Sequence, residues 1–331
     1  MRLGRSAALT LQTGQAYTGH ENAYILQGFM HPTLSPRLAF GCALVCATTL
    51  IGVMPVHVRA QAAAGERTIY VSAVDSKGEV VEGLGPNDFI VREDGAPREV
   101  LRVSRAVDPI DIALLIDNGS TSGDAIPDIR AGLKAFIPMM AGRNAIALIT
   151  LADRPTISVD YTTSAQRLLD GVGRLFTQST SGVTLLDAIV EVSKGLEKRE
   201  ARRAVMVPIV TDGVDFSNRY YRDALEAINR AGVALHTLTL GIFDFSNDDL
   251  VRNRGFVLDE GPRASGGQRV TLLSPTALEA TLRKLARELS SQYKVVYGRP
   301  QSLIQPDKIE ISARRLGVTM RGAPERRQTG A

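Results

Sequence analysis

Continuous apolar runs alternate along this chain with segments of helical periodicity, and that alternation restricts the fold more than any other feature. Three runs, IDIALLID (110–117), AIALITLA (145–152) and AVMVPIVTDG (204–213), have almost no polar positions until they end. Such runs are typical of strands buried on both faces of a parallel sheet. Weaker strand patterns cover 156–162, 233–241 and 267–273, and helical patterns cover 126–140, 164–176, 184–198, 220–231 and 275–291. The sequence therefore predicts an α/β fold, a doubly wound and mostly parallel sheet with helices on both faces.

The segments on either side of this region have a different pattern. Residues 67–106 alternate apolar and polar positions between turn sequences, which predicts antiparallel hairpins. After Tyr293 the short segments YKVVYG and KIEISARR alternate in the same way, so we expect them to rejoin the N-terminal segment as a small all-β module. The polar stretch 242–266 is interpreted as a long loop near the carboxyl ends of the strands.

Four regions follow from these shifts in pattern. They are a signal peptide with a leader that begins upstream of the expected start (1–62), a small β module (63–108), the α/β domain (109–292), and a C-terminal β extension with a basic tail (293–331). In the leader, the apolar stretch Leu38–Val56 precedes an Ala-Gln-Ala cleavage sequence ending at Ala62, and Met30 is the better start. We expect export to the periplasm or the cell exterior, with an uncleaved membrane anchor as the alternative.

Cleavage after the leader changes which chemistry is available. The leader contains both cysteines, three of the four histidines, four arginines and one glutamate, so the mature chain has 35 basic and 34 acidic residues. That balance gives no electrostatic basis for nucleic-acid binding, and no membrane contact is expected after cleavage. A His/Cys zinc site is excluded. The remaining histidine, His236, lies in an apolar strand and is expected to be buried and hydrogen-bonded. Nothing in the sequence specifies an oligomeric state.

Acidic and hydroxyl side chains follow three of the predicted strands. Asp117 and Thr121 follow the first parallel strand, Thr184 opens a later helix, and Asp212 follows the 204–211 run. The carboxyl ends of parallel strands meet at one edge of a sheet, where open α/β sheets bind ligands. Two carboxylates and two hydroxyls suit a hard divalent cation, so the sequence predicts an Mg²⁺ or Mn²⁺ site there.

The order Asp-x-x-x-Thr, Gly-x-Thr-x-x-Asp-Ala and Thr-Asp-Gly resembles the von Willebrand factor A domain over about residues 110–292. The segments VEGLGPNDFIVREDGAPREV and ELSSQYKVVY also resemble a bacterial, Acidobacteria-type group of exported proteins related to that domain. The resemblance implies a metal-ion-dependent adhesion site made by Asp117, Thr121, Thr184 and Asp212. It implies a non-enzymatic adhesion or protein-binding role, in which the metal accepts a carboxylate from a protein partner. Gly119 stands where the family has a serine ligand, so one ligand oxygen is missing.

Two other functions are compatible with the same residues. Asp117 at the end of a first strand could be the nucleophile of a hydrolase or phosphoryl-handling enzyme, although no general base and no phosphate-binding glycine loop accompany it. The chain could also be a structural envelope protein with a degenerate metal site. Each residue also has a simpler structural explanation. Asp117 could cap its own loop, Thr184 could be a helix N-cap, and the carboxylate of Asp187 could interact favourably with the dipole of the helix that follows.

Overall fold

A computed structural model describes residues 64–178, 180–241, 249–300, 304, 306 and 308–324. The leader, including the expected cleavage site and Met30, lies outside the described residues. In chain order the strands are β1 (Ala64–Val74), β2 (Phe89–Glu93), β3 (Ala96–Arg98), β4 (Val100–Arg105), β5 (Asp111–Ile116), β6 (Ala145–Thr150), β7 (Thr156–Thr162), β8 (Ala204–Thr211), β9 (Val233–Leu235), β10 (Thr237–Leu240), β11 (Arg269–Leu272), β12 (Tyr293–Pro300), β13 (Ile309–Ala313) and β14 (Thr319–Pro324). The α-helices are α1 (Ile126–Met140), α2 (Ala165–Gly173), α3 (Leu185–Lys198), α4 (Tyr221–Ala231), α5 (Asp249–Ser265) and α6 (Leu278–Ser290).

The central sheet has the strand order β11-β10-β8-β5-β6-β7, with β9 also paired to β8. Its strand pairs are parallel except for β7, which runs antiparallel to β6. Every residue of β8 is buried, whereas β7 is mostly exposed. The predicted doubly wound, mostly parallel sheet is therefore confirmed, and β7 is an exposed edge strand of it.

Helices cover both faces of this sheet, because successive residues of each strand point to opposite sides. Leu114 of β5 belongs to the apolar layer shared with α1 and α6. Its neighbour Leu115 belongs to the layer shared with α3, α4 and α5. This double burial explains why the strand has no polar positions between Ile112 and Ile116.

Strand order reverses between β5 and β8. From β5 the chain first builds outward through β6 and β7, then returns to place β8 on the other side of β5. The paired ends Ile116 and Ile209 lie in register, so the residues that follow them emerge side by side. Crevices at such switch points are where open α/β sheets bind ligands. Asp117 directly follows β5, and Asp212 directly follows β8.

The N-terminal and C-terminal segments form one β module, as predicted. In the first sheet of this module, β1 lies between β12 and β14, and β4 pairs with the outer edge of β12. In the second, β13 and β3 flank β2. Buried residues from both sheets share one apolar cluster, which includes Val71, Phe89 and Tyr297. The C-terminal strands are therefore structural parts of the N-terminal module.

Two predictions about local structure were wrong. The sequence predicts a loop over 242–266, but the described part of this stretch contains α5, whose buried face includes Val257, Leu258 and Gly261. His236 is buried as expected, yet neither ring nitrogen has a hydrogen-bond partner within the described residues. His236 interrupts the strand predicted over 233–241, leaving β9 and β10. No helix among the described residues is long and apolar enough to cross a membrane.

Candidate functional site at the carboxyl ends of the central strands

Asp117 joins the ends of β5 and β8 and is fully buried. Its Oδ2 accepts hydrogen bonds from the main-chain N–H of Thr211 at 2.9 Å and from the Thr211 hydroxyl at 2.7 Å. Its Oδ1 accepts from the main-chain N–H of Gly119 at 3.0 Å. The carboxylate is thus held by three donors, two on the last residue of β8 and one in the loop after β5, whereas a cap of its own loop would need only the last of these.

The loop after Asp117 packs directly against the segment before α3. A Cβ atom on Gly119 would lie 2.9 Å from Cγ2 of Val183 and 3.1 Å from the main-chain oxygen of Ser181. That oxygen accepts a hydrogen bond from the N–H of Ser120 at 3.0 Å. The backbone of Gly119 has φ −73°, which any residue can adopt. Gly119 is therefore required by close packing, and the space of the missing serine is already filled.

Replacing Gly119 by serine is expected to lower the free energy of unfolding by about 1–3 kcal/mol, because the added atoms overpack this contact. Urea unfolding measures the loss. Val183→Ala makes room, so the double variant should lose less than the sum of the two single losses. A Gly119→Ser protein as stable as the wild type would contradict this account of the loop.

Thr121 and Thr184, the two predicted hydroxyl ligands, are held in different ways. The Thr121 hydroxyl lies 2.9 Å from the hydroxyl of Thr211, which places it beside Asp117. The Thr184 hydroxyl is buried and donates to the main-chain oxygen of Leu151 at 3.0 Å. Thr184 occupies the N-cap position of α3, yet its side chain makes no capping hydrogen bond. The structure thus groups Thr121 with Asp117 and directs Thr184 to the end of β6.

Asp212 is exposed, and the buried carboxylate in its loop is Asp215. Oδ2 of Asp215 accepts from the N–H of Leu185 at 3.1 Å, and Oδ1 accepts from the N–H of Ser217 at 2.9 Å. Burial raises the pKa of Asp215, which those hydrogen bonds partly oppose. The carboxylate of Asp187 also accepts from two N–H groups of this loop. The loop after β8 is thereby fixed to the first turn of α3.

Sequence reasoning missed three residues of this region. Asp215 is one, and its only signal is its position three residues after Asp212. Asn118 is the second, since its Oδ1 accepts from the N–H groups of Leu151 and Ala152 at 3.1 and 3.0 Å. Arg254 is the third; it is 1% exposed and reaches the site from α5. The sequence feature that could have revealed Arg254 is its spacing, one helical turn before the apolar residues Val257 and Leu258.

The side chains present do not fit a divalent cation as they stand. The Thr121 hydroxyl is grouped with Asp117, but the Thr184 hydroxyl is directed to Leu151, and Gly119 offers no side-chain oxygen. The guanidinium of Arg254 adds a positive charge to the same region. Among the described residues, no group of three or more His, Cys, Asp or Glu is placed to hold a metal ion. The Mg²⁺ or Mn²⁺ site stays a prediction, which is addressed below.

Exposed aromatic side chains surround these strand ends. Phe176 is 64% exposed, and its main-chain oxygen accepts from the side-chain N–H of Asn118 at 3.3 Å. Phe216 is 60% exposed, and its ring lies against Gly182, where even a Cβ atom would clash. Tyr220, at the start of α4, is 66% exposed. We call the surface formed by Phe176, Asp212, Phe216 and Tyr220 the strand-end surface.

The strand order and the antiparallel edge strand β7 show an open, doubly wound α/β fold, the fold class that the sequence predicts. No known family model and no curated protein matches the chain. Solved structures similar in fold include a von Willebrand factor type A protein from Catenulispora acidiphila (11% identity, 80% of this chain, 74% of that chain, TM-score 0.45). Others are the vWF domain of the type V pili tip protein Mfa5 from Porphyromonas gingivalis (14%, 55%, 95%, 0.41) and BatB from Bacteroides thetaiotaomicron (14%, 55%, 100%, 0.42).

Proposed function

We propose that this chain is an exported, non-enzymatic module that binds a protein partner, in adhesion or another protein–protein interaction, through the strand-end surface. The observation that carries the proposal is that the segments next to these strand ends present three aromatic side chains, Phe176, Phe216 and Tyr220, each at least 60% exposed. Groups of exposed apolar side chains often mark the sites where proteins bind each other, and aromatic residues are enriched at such sites.

The loops that present these side chains are pre-organised, which also supports a binding role. Asp117, Asp215 and Asn118 fix them to one another through hydrogen bonds to main-chain groups. A rigid surface loses less conformational entropy when a partner binds. The exposed carboxylate of Asp212 and the small polar residues around Ser120 add hydrogen-bonding groups at the centre.

A hydrolase that uses Asp117 as nucleophile has less support. The carboxylate is 0% exposed, and both of its oxygens accept hydrogen bonds from Thr211 and Gly119. A nucleophile needs an accessible lone pair and a base or acid within hydrogen-bond reach. The same burial is what an anchor for the strand-end loops requires. Export is supported by the apolar stretch Leu38–Val56 and the cleavage sequence that follows it.

Site-specific photo-cross-linking tests the proposal. A benzophenone amino acid is placed at Phe216 in the organism that makes the chain, and cross-linked products are identified by mass spectrometry. The matched control carries the same amino acid at Leu316, which is 97% exposed in the turn between β13 and β14. We expect one defined protein partner at position 216 and none at position 316. Equal, diffuse cross-linking at both positions would contradict the proposal.

A further inference from the structure

Arg254 is the largest fully buried side chain among the described residues, at 1% exposure. It lies on the same face of α5 as Val257, Leu258 and Gly261, one turn before them, so the packing of the helix carries it inward. Burying a guanidinium is costly unless anionic groups and hydrogen-bond acceptors surround it. The strand ends therefore have to supply both.

The acceptors are the main-chain oxygens of Thr211 and Gly213, the two residues on either side of Asp212, and each receives one N–H of the guanidinium. The anions are the carboxylates of Asp117, Asp215 and Asp212, which favour the charged form of Arg254 and oppose the effect of burial on its pKa. The guanidinium is thus hydrogen-bonded to the loop after β8 and interacts electrostatically with three carboxylates.

Arg254 also lies next to a predicted metal ligand. A Cβ atom on Gly213 would be 3.0 Å from Oγ1 of Thr121 and 3.8 Å from Nη1 of Arg254. The guanidinium and the Thr121 hydroxyl therefore flank the same residue. Thr211 links them further, since its side chain contacts both Thr121 and Asp117 while its main-chain oxygen accepts from Arg254. The positive charge therefore lies beside the residues that flank Asp212 and close to Thr121, two of the predicted metal ligands.

We propose that Arg254 is a built-in cation that takes the place of the divalent ion at these strand ends. The guanidinium balances the carboxylates of Asp117, Asp212 and Asp215 permanently, so the loops keep their arrangement without added metal. This proposal deepens the proposed function. Only one of its consequences rests on that function, namely that partner binding needs no divalent cation. It also accounts for Gly119, because a site that holds no metal can use the space of the serine ligand for packing.

Removing the guanidinium should make the site responsive to metal. Without Arg254, the carboxylates of Asp117, Asp212 and Asp215 lose the positive charge that acts on them, and the oxygens of the predicted ligands Asp117, Thr121 and Asp212 become available to Mn²⁺ or Mg²⁺. We expect Arg254→Met to unfold at a lower temperature than the wild type in EDTA. Saturating Mn²⁺ should raise its unfolding midpoint by about 5–10 °C, because an ion that binds only the folded state stabilises that state. The wild-type midpoint should be the same in EDTA and in Mn²⁺.

Two control variants show whether the response to Mn²⁺ depends on the positive charge at position 254 or follows from any change of an arginine in α5. Arg254→Lys keeps the charge and should remain unresponsive to Mn²⁺. Arg252→Met removes an exposed arginine from the same helix, and it should behave as the wild type does. A folded Arg254→Met protein whose midpoint is unchanged by Mn²⁺ would overturn the proposal.

Direct metal binding to the wild type gives a second measurement that does not depend on how well the variant folds. Electron paramagnetic resonance counts free Mn²⁺ as the wild-type protein is added, with Asp212→Ala as the control. We expect no binding by either protein at micromolar Mn²⁺. Micromolar binding by the wild type that Asp212→Ala abolishes would overturn the proposal, even if Arg254→Met does not fold. Neither result affects the cross-linking test of partner binding, so the two proposals can fail separately.

Discussion

Asp117→Ala is expected to lower the free energy of unfolding by about 3–5 kcal/mol, the largest loss expected for any single change at the strand ends. The carboxylate is fully buried and accepts three hydrogen bonds from Thr211 and Gly119. Its removal leaves those donors unpaired in the interior. It also takes away one of the three carboxylates that compensate the buried charge of Arg254. Urea unfolding followed by circular dichroism measures the loss.

Asp212→Ala is the matched control, because Asp212 is a predicted ligand of the same site but is exposed. Its removal is expected to change the free energy of unfolding by no more than about 0.5 kcal/mol, because solvent screens the interaction of this exposed carboxylate with Arg254. The contrast distinguishes an anchoring carboxylate from a surface one. Similar losses for both variants would mean that the hydrogen bonds of Asp117 contribute little, and the anchoring role would have to be abandoned.

Acidification from pH 6.5 to pH 4 is expected to remove about 3 kcal/mol of unfolding free energy through His236. Burial lowers the pKa of this histidine from 6.5 to about 4, with Glu288 opposing that effect and Arg321 reinforcing it. The folded state therefore binds a proton more weakly than the unfolded state does. The stability contributed by neutral His236 is complete above pH 6.5 and is lost as the pH falls through this window.

His236→Leu isolates this effect, because leucine cannot titrate and the histidine ring nitrogens have no hydrogen-bond partner within the described residues. Free energies of unfolding are measured for both proteins between pH 7 and pH 4. Asp215 acts in the opposite direction, since burial raises its pKa and acid therefore favours its folded form. That contribution is common to both proteins and cancels in the difference. Equal pH dependence of wild type and variant would show that His236 does not titrate as described.

The central sheet could be predicted because burial on both faces leaves a direct mark on the sequence. The unbroken apolar run of β8 has no other simple explanation, and the helical spacing of α1 gave its ends at Ile126 and Met140 correctly. Helix α5 could not be predicted in this way. Its glycines and Pro262 are typical of loops. Gly261, however, packs closely inside the protein, since a Cβ atom there would lie 2.6 Å from Cδ2 of Leu235. A glycine that close packing requires and a glycine that favours a loop cannot be told apart in the sequence.

The candidate site was predictable only in part, for a related reason. Asp117 and Asp212 could be placed because each follows an identifiable strand, and parallel strands end at one edge. The contacts of Arg254 with Thr211 and Gly213 join residues about forty positions apart, through a helix that the sequence pattern did not reveal. Thr184 was placed at the start of α3 correctly, but its hydrogen bond to Leu151 depends on the relative position of two loops. Sequence spacing does not encode such distances.

The cross-linking reaction at Phe216, repeated in EDTA and in excess Mg²⁺, tests the central claim most directly. That claim is that a rigid strand-end surface, balanced by Arg254, binds a protein without a divalent cation. The account predicts the same partner with the same yield in both conditions, and no product from the control at Leu316. A partner captured in Mg²⁺ and lost in EDTA would contradict it, and would show that the carboxylates of Asp117 and Asp212 serve a metal after all.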